Sequence, residues 1–177
     1  MTEPDLDAAS ATLLDAEGRW TLRFERHLAH PIERVWRAVV EPADRDAWFP
    51  QRIEGDLVAG GALRFVDDPN AADDGFEGRC LRIEPPHLLE LEWGEDTLRI
   101  ELAADGDGTR LVFLDTIGDR RHAARTASGW HHCLDVLAAT LAGDVAPKMG
   151  GERWDEIHER YLATLGGERH VWGAPPA

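Results

Sequence analysis

The spacing of apolar residues switches along this chain between steps of two and steps of three and four, and each switch marks a change of element. From Arg19, residues Trp20, Leu22, Phe24 and Leu28 alternate with Thr21, Arg23, Glu25 and His27, which predicts a half-buried strand. His30-Pro31 then opens a helix, because proline is favoured at a first helical position, and Ile32, Val35, Trp36 and Val39 form its apolar face. Glu41-Pro42 stops it, and residues 43–49 make a short helical or turn segment that runs into Trp48-Phe49-Pro50. Further strands are predicted at 53–57, 62–66, 76–83, 87–93, 97–103 and 109–116. They are separated by Gly60-Gly61, Pro85-Pro86, Gly94 and the hairpin turn Asp105-Gly106-Asp107-Gly108. Strands joined by such short loops make a largely antiparallel sheet.

A long helix is predicted over 121–142. Ala123, Ala127, Trp130, Leu134, Leu137 and Leu141 recur on it in alternating steps of four and three, and Gly143 ends it. Another helix, 152–165, carries Trp154, Ile157, Tyr161 and Leu165 on one face and Glu156 and Arg160 as an i,i+4 pair on the other. The predicted class is therefore α+β, with six to seven antiparallel strands, a long C-terminal helix and one helix more. Residues 1–17 are acidic and aperiodic and read as a flexible tail; 18–143 read as the domain. Residues 144–165 read as an additional helix packed on that domain, and the Gly/Pro-rich 166–177 as a loose tail. An amphipathic helix and a one-sided sheet must bury their apolar faces against each other. A strongly curved sheet cannot close flush on a straight helix, so a space is expected between them.

Several segments, in this order, resemble a known family: Phe24-Glu25-Arg26, His30-Pro31-Ile32-Glu33-Arg34-Val35-Trp36-Arg37-Ala38, Asp46-Ala47-Trp48-Phe49-Pro50 and Gly55 with Gly60-Gly61. Leu89-Glu90-Leu91-Glu92-Trp93 after Pro85-Pro86, Thr109-Arg110-Leu111, and Ser128-Gly129-Trp130 with Leu134-Asp135-Val136-Leu137 continue it. Over roughly residues 19–143 the chain resembles the START-like, or SRPBCC, superfamily, and within it the homologues of the activator of heat-shock-protein-90 ATPase. The resemblance implies a birch-pollen-allergen-like helix-grip fold, a curved antiparallel sheet wrapped around a long C-terminal helix with a hydrophobic cavity beneath it. Across that superfamily the cavity serves lipid transport, polyketide cyclisation, hormone perception and co-chaperone contact, so fold alone leaves function open. Two departures stand out: Asp115 occupies a position where many relatives carry histidine, and the helix 152–165 extends beyond the usual end.

Composition narrows the field. A chain of 177 residues fits one domain, and a formal charge of −15 with no Lys/Arg cluster disfavours nucleic acid and anionic membrane surfaces as partners. No run of about 18 apolar residues offers a membrane span. Cys80 and Cys133 stand far apart without a CxxC, and residues 1–17 lack the order of a signal peptide, so a reduced, cytoplasmic setting is expected. Seven tryptophans against one tyrosine suggest a roomy interior. A monomer or a homodimer fits equally.

Candidate ligand-lining residues follow from the inward phases: Phe65, Leu81, Ile83, Leu91, Trp93 and Ile100 on strands, Trp36 on the first helix, and Trp130 and Leu134 on the long one. Trp48 and Phe49 are expected to cap an opening. Asp115 and His131 are the candidate polar contacts. Asp115 reads mainly as a solvated strand end or turn residue; buried near His122 or His131 it would instead serve as an acid or base. Trp130-His131-His132-Cys133 does not make a metal site, since neighbouring helical residues point about 100° apart. One of its histidines is expected to flank the cavity and the other to meet solvent. No nucleophile elbow, triad order or phosphate loop is present, and no cofactor is expected. The leading expectation is binding of an apolar or amphipathic small molecule in the cavity. A chaperone-contacting module ranks second, and a cyclase- or hydrolase-like enzyme using Asp115 and a histidine third.

Overall fold

Alternating strands bury one face only if their neighbours keep register, and here every pairing is antiparallel. The computed structural model describes residues 10–16, 18–68 and 74–170. The strands are β1 (Thr12–Ala16), β2 (Arg19–Leu28), β3 (Arg52–Glu54), β4 (Ala62–Val66), β5 (Phe76–Glu84), β6 (Leu88–Trp93), β7 (Asp96–Asp105) and β8 (Gly108–Ile117). They form one eight-stranded sheet in the order β1-β2-β8-β7-β6-β5-β4-β3. The helices are α1 (Ile32–Val40), α2 (Pro42–Arg45), α3 (Ala123–Ala142) and α4 (Gly151–Leu165), with a 3-10 turn at Arg120–His122 before α3. No helix among the described residues is long and apolar enough to cross a membrane.

Register turns the alternation into rows of side chains facing α3. Leu22, Asp115, Leu98, Leu91 and Cys80 lie opposite one another across β2, β8, β7, β6 and β5. Phe24, Phe113, Ile100, Leu89 and Ile83 form the next row. All are buried except Ile83, which is half-buried at the end of its row. Asp115 is the one ionisable carboxyl in these two rows.

Four expectations change. The strands number eight because residues 12–16, expected within the flexible tail, pair with β2 as β1, from Thr12↔Arg23 to Ala16↔Arg19. This edge strand is mostly exposed and is held through its backbone, so it carries no apolar period. Residues 1–9 lie outside the described part. Leu81 does not face inward: the β5–β6 register shifts between Cys80 and Arg82, and the extra residue turns Leu81 to solvent at 40% exposure. His131 and His132 are both buried, so neither meets solvent. Residues 166–170, expected to be loose, are tied down, with the Glu168 N–H donating to Arg121 O at 2.7 Å and the His170 N–H to His158 Nε2 at 2.9 Å.

α3 is buried on two sides. Ala123, Ala127, Trp130, Leu134 and Leu137 face the sheet, while Ser128 and His131 meet α4. Ser128 Oγ donates to Ala124 O at 2.7 Å, so the 3.2 Å contact to His158 Nδ1 has the imidazole as donor. Asp135 of α3 contacts Arg26 of β2 at 3.7 Å and hydrogen-bonds Arg153 of α4. Tyr161 of α4 sits at the join. Its hydroxyl accepts the Ala11 N–H at 2.9 Å, just before β1, and hydrogen-bonds His131 Nδ1 at 2.8 Å. Burial is the largest cause that lowers the His131 pKa to about 4, which keeps the ring neutral.

One hydroxyl thus links α4, α3 and the edge strand. Tyr161→Phe is expected to cost about 1–3 kcal/mol, because it strips a buried N–H and a buried imidazole of a partner. Urea unfolding would show a lower midpoint at unchanged slope, and β1 amides would exchange faster. An unchanged midpoint would contradict the role.

Candidate ligand site

β8 is long enough to run under the first half of α3, and its inward phase places Asp115 between Leu22 of β2 and Leu98 of β7. The carboxyl is fully buried at 0% exposure, not solvated at a strand end. Trp130 Nε1–H donates to Asp115 Oδ2 at 2.8 Å. Asp115 Oδ1 is equally buried and has no hydrogen-bond partner among the described residues. On the same side of α3, before Trp130, stand the buried methyl groups of Ala127 and Ala123 and the half-buried Thr126.

Burial raises the Asp115 pKa well above the ordinary carboxylate range, and the nearby Asp96 charge adds to it, against the opposing Trp130 hydrogen bond. Asp96, raised mainly by burial itself, accepts the Gly118 N–H at 2.8 Å. Burial therefore favours the neutral form of Asp115, with one oxygen held by an indole and the other without a hydrogen-bond partner.

The indole of Trp130 is also the hub of an aromatic group. Its ring lies 4.5 Å from Phe113, 5.4 Å from Trp93 and 5.6 Å from Phe49. Phe49, Phe65, Phe76 and Trp93 follow one another at 6.3, 5.1 and 5.6 Å, closing a five-membered circuit through Trp130. Phe76 and Trp93 are half-buried and form its outer side. Gly78 makes this possible: it lies opposite Trp93, and a Cβ there would come 2.6 Å from the Phe65 ring. Gln51, fully enclosed, accepts the Trp93 Nε1–H at 3.1 Å and donates to Asp68 at 2.7 Å.

Of the sequence candidates, Phe49, Phe65, Trp93, Asp115 and Trp130 come together here, and Leu91 and Ile100 lie buried in the adjoining rows of the sheet. Leu134 is buried one turn beyond Trp130 on α3. Trp36 is buried on α1, and Ile83 is half-buried beyond the β5 bulge. Trp48 does not cap an opening by its polar edge: its indole N–H donates to Ala38 O of α1 at 2.9 Å and the ring is 3% exposed. Leu81 faces out. His131 faces α4 and Asp135, not Asp115; no histidine hydrogen-bonds Asp115 among the described residues. The acid–base pair considered from the sequence is thus absent from this geometry. Phe76, Phe113 and Gln51 were not singled out beforehand. Alternation marks the two phenylalanines as core, whereas nothing local distinguishes Gln51.

Residues 29–142 match the family described as Activator of Hsp90 ATPase homolog 1-like protein. The chain belongs to that family. Among solved structures, it is similar to a Bordetella parapertussis protein, gene BPP1335, at 30% identity over 98% of this chain and 100% of that one, with a TM-score of 0.67. It is also similar to CalU16 from Micromonospora echinospora, at 26% identity over 88% and 94%, TM-score 0.68. An Enterococcus faecalis protein of unknown function, EF2215, shares the fold at 21% identity over 90% and 92%, TM-score 0.75. A search of curated proteins found no match. The family supports a ligand-binding or co-chaperone-like domain, and its matched segment contains the whole Asp115–Trp130 pair.

The raised acid makes a signed expectation. Below about pH 3.9 folded and unfolded chains both hold the Asp115 proton, so it does not affect stability. As pH rises from there through the raised native value, only the unfolded chain ionises and the folded state loses stability. Asp115→Asn keeps an acceptor for Trp130 and removes this loss, by roughly 1.4 kcal/mol for each unit of elevation. Melting curves from about pH 4 to about pH 8 should move in the variant's favour as pH rises. Parallel curves would mean that Asp115 ionises normally.

Proposed function

We propose that this protein binds an apolar or amphipathic small molecule between the sheet and α3, with the molecule's polar end at Asp115. The observation that carries the reading is the open, fully buried Asp115 Oδ1 in an otherwise aromatic and aliphatic interior. A buried polar atom without a partner is costly, and a bound molecule that meets it recovers that cost. Binding pockets combine mostly apolar walls with a few polar groups that fix orientation, which is the balance found around Trp130. Half-buried Phe76 and Trp93 give an apolar molecule a first contact on the way in.

The family description favours a second reading, contact with a chaperone or another protein. A groove of about 290 Å³ on the outer sheet face, with Leu88 and Val112 among Arg82, Arg99 and Arg110, is the surface such a partner would meet. It ranks lower because these arginines already have carboxylate partners: Glu84 for Arg82, Glu90 and Glu101 for Arg99, and Glu25 for Arg110.

Native mass spectrometry of freshly purified protein, set against its denatured mass, tests the first reading. A reproducible excess mass that disappears on denaturation is the expected result, with solvent extraction giving its chemical class. A bare native mass, together with no rise in Tm when an organic extract of the producing cells is added back, would sink it.

A further inference from the structure

The open oxygen at the centre of the domain limits what polar group a bound molecule can present. Two ionisable side chains, Arg26 and Asp115, lie on the inward phase of β2 and β8, and they differ in their partners. Arg26 is matched by Asp135. Among the described residues Asp115 has only Trp130, which is attached to one oxygen. An ionised Asp115 would call for a second donor or a cation at Oδ1. No donor meets Oδ1 among the described residues: Leu22 and Leu98 flank Asp115 in the sheet, and Ala123, Ala127 and the half-buried Thr126 precede Trp130 on α3. The titratable group whose charge bears on Asp115 is another carboxyl, Asp96, and His122, which bears in turn on Asp96, is exposed at the helix start. Trp130 Nε1–H occupies an acceptor lone pair of Oδ2. In the neutral form the carbonyl oxygen is the better acceptor, which assigns Oδ2 to the Trp130 bond and the acid O–H to Oδ1.

From this geometry we infer that the site selects neutral molecules carrying a carbonyl oxygen beside an aromatic or other flat apolar group, with Asp115 Oδ1–H donating to that oxygen. The inference rests on the proposed ligand site and adds the class of ligand. The aromatic circuit suits a flat group, because Phe113, Trp93 and Phe49 surround the same indole that fixes the acid. A carboxylate ligand would bury an uncompensated negative charge beside two acids. A cationic amine would have to ionise Asp115 first, at the cost of the burial that keeps it neutral. A carbonyl needs neither, and leaves the Trp130–Asp115 bond in place.

The test uses three small phenyl-bearing probes: acetophenone, its isosteric alkene α-methylstyrene, and the cation benzylamine. Each is titrated into the whole protein and followed by the indole N–H resonance of Trp130. The alkene is the more water-averse, so shape and apolar burial alone would make it bind at least as well as the ketone. The expected result is acetophenone binding about tenfold tighter than α-methylstyrene, the worth of one hydrogen bond to a buried group, with benzylamine weakest. Asp115→Asn, whose amide N–H still donates, is expected to retain the ketone preference. Asp115→Leu is expected to lose it while its far-ultraviolet dichroism stays native. If Asp115→Leu does not fold, the Asn variant decides alone. Equal binding of ketone and alkene, tightest binding of benzylamine, or loss of ketone preference in Asp115→Asn would overturn the inference while leaving the ligand site standing. If none of the three shifts the Trp130 resonance, the site reading itself falls, and the inference with it.

Discussion

The hydrogen bond between Trp130 Nε1 and Asp115 Oδ2, 2.8 Å long and shut off from solvent, ties the long helix to the middle of the sheet. Apolar packing is non-directional and would tolerate several rotations of α3 over the sheet. A buried donor and a buried acceptor that satisfy each other tolerate only one. That single register sets where the indole lies, and the indole in turn fixes the aromatic circuit of Phe49, Phe65, Phe76 and Trp93. The same bond leaves one carboxyl oxygen unmatched. The feature that positions the helix and the feature that invites a ligand are thus two atoms of one side chain.

The far side of α3 is treated differently. There the polar groups form a dense network: Asp135 with Arg26 and Arg153, His131 with Tyr161, Ser128 with His158, and Tyr161 with the backbone before β1. Each histidine in it is held neutral chiefly by burial. This network braces α3 from outside through α4 and the edge strand, so the helix need not rely on a tightly matched polar core facing the sheet. A braced polar network on one side, with His131 Nε2 left 3.5 Å from Asp135 without a hydrogen bond, and an open acid on the other is the pattern expected of a scaffold that holds a site rigidly.

The α+β class, the antiparallel sheet, the long helix and its apolar stripe were legible in the sequence because they are written as periods in hydrophobicity. The Trp20–Leu28 alternation and the Ala123–Leu141 stripe are read directly from such periods. Three things were not. β1 has no buried side of its own and exists through backbone pairing with β2 and the Ala11–Tyr161 contact, 150 residues apart in the chain. The β5 bulge reverses the phase in mid-strand, so an alternation counted back from Ile83 puts Leu81 on the wrong face. The burial of Asp115 depends on register across three strands and on which edge of Trp130 turns inward, neither of which leaves a local trace. Aspartate at a strand end is usually a turn residue, and here that prior pointed away from the candidate site.

The ligand site depends on Asp115 being a neutral acid at physiological pH. Carbon-13 NMR of the Asp115 side-chain carboxyl, followed across pH with Asp115→Asn used to assign the resonance, reads this directly. The account predicts that the signal stays at its protonated position well beyond about pH 4, where ordinary aspartates have already moved. A carboxyl that titrates with the exposed aspartates would contradict it, and would leave Asp115 as a solvated strand residue with no claim on a ligand.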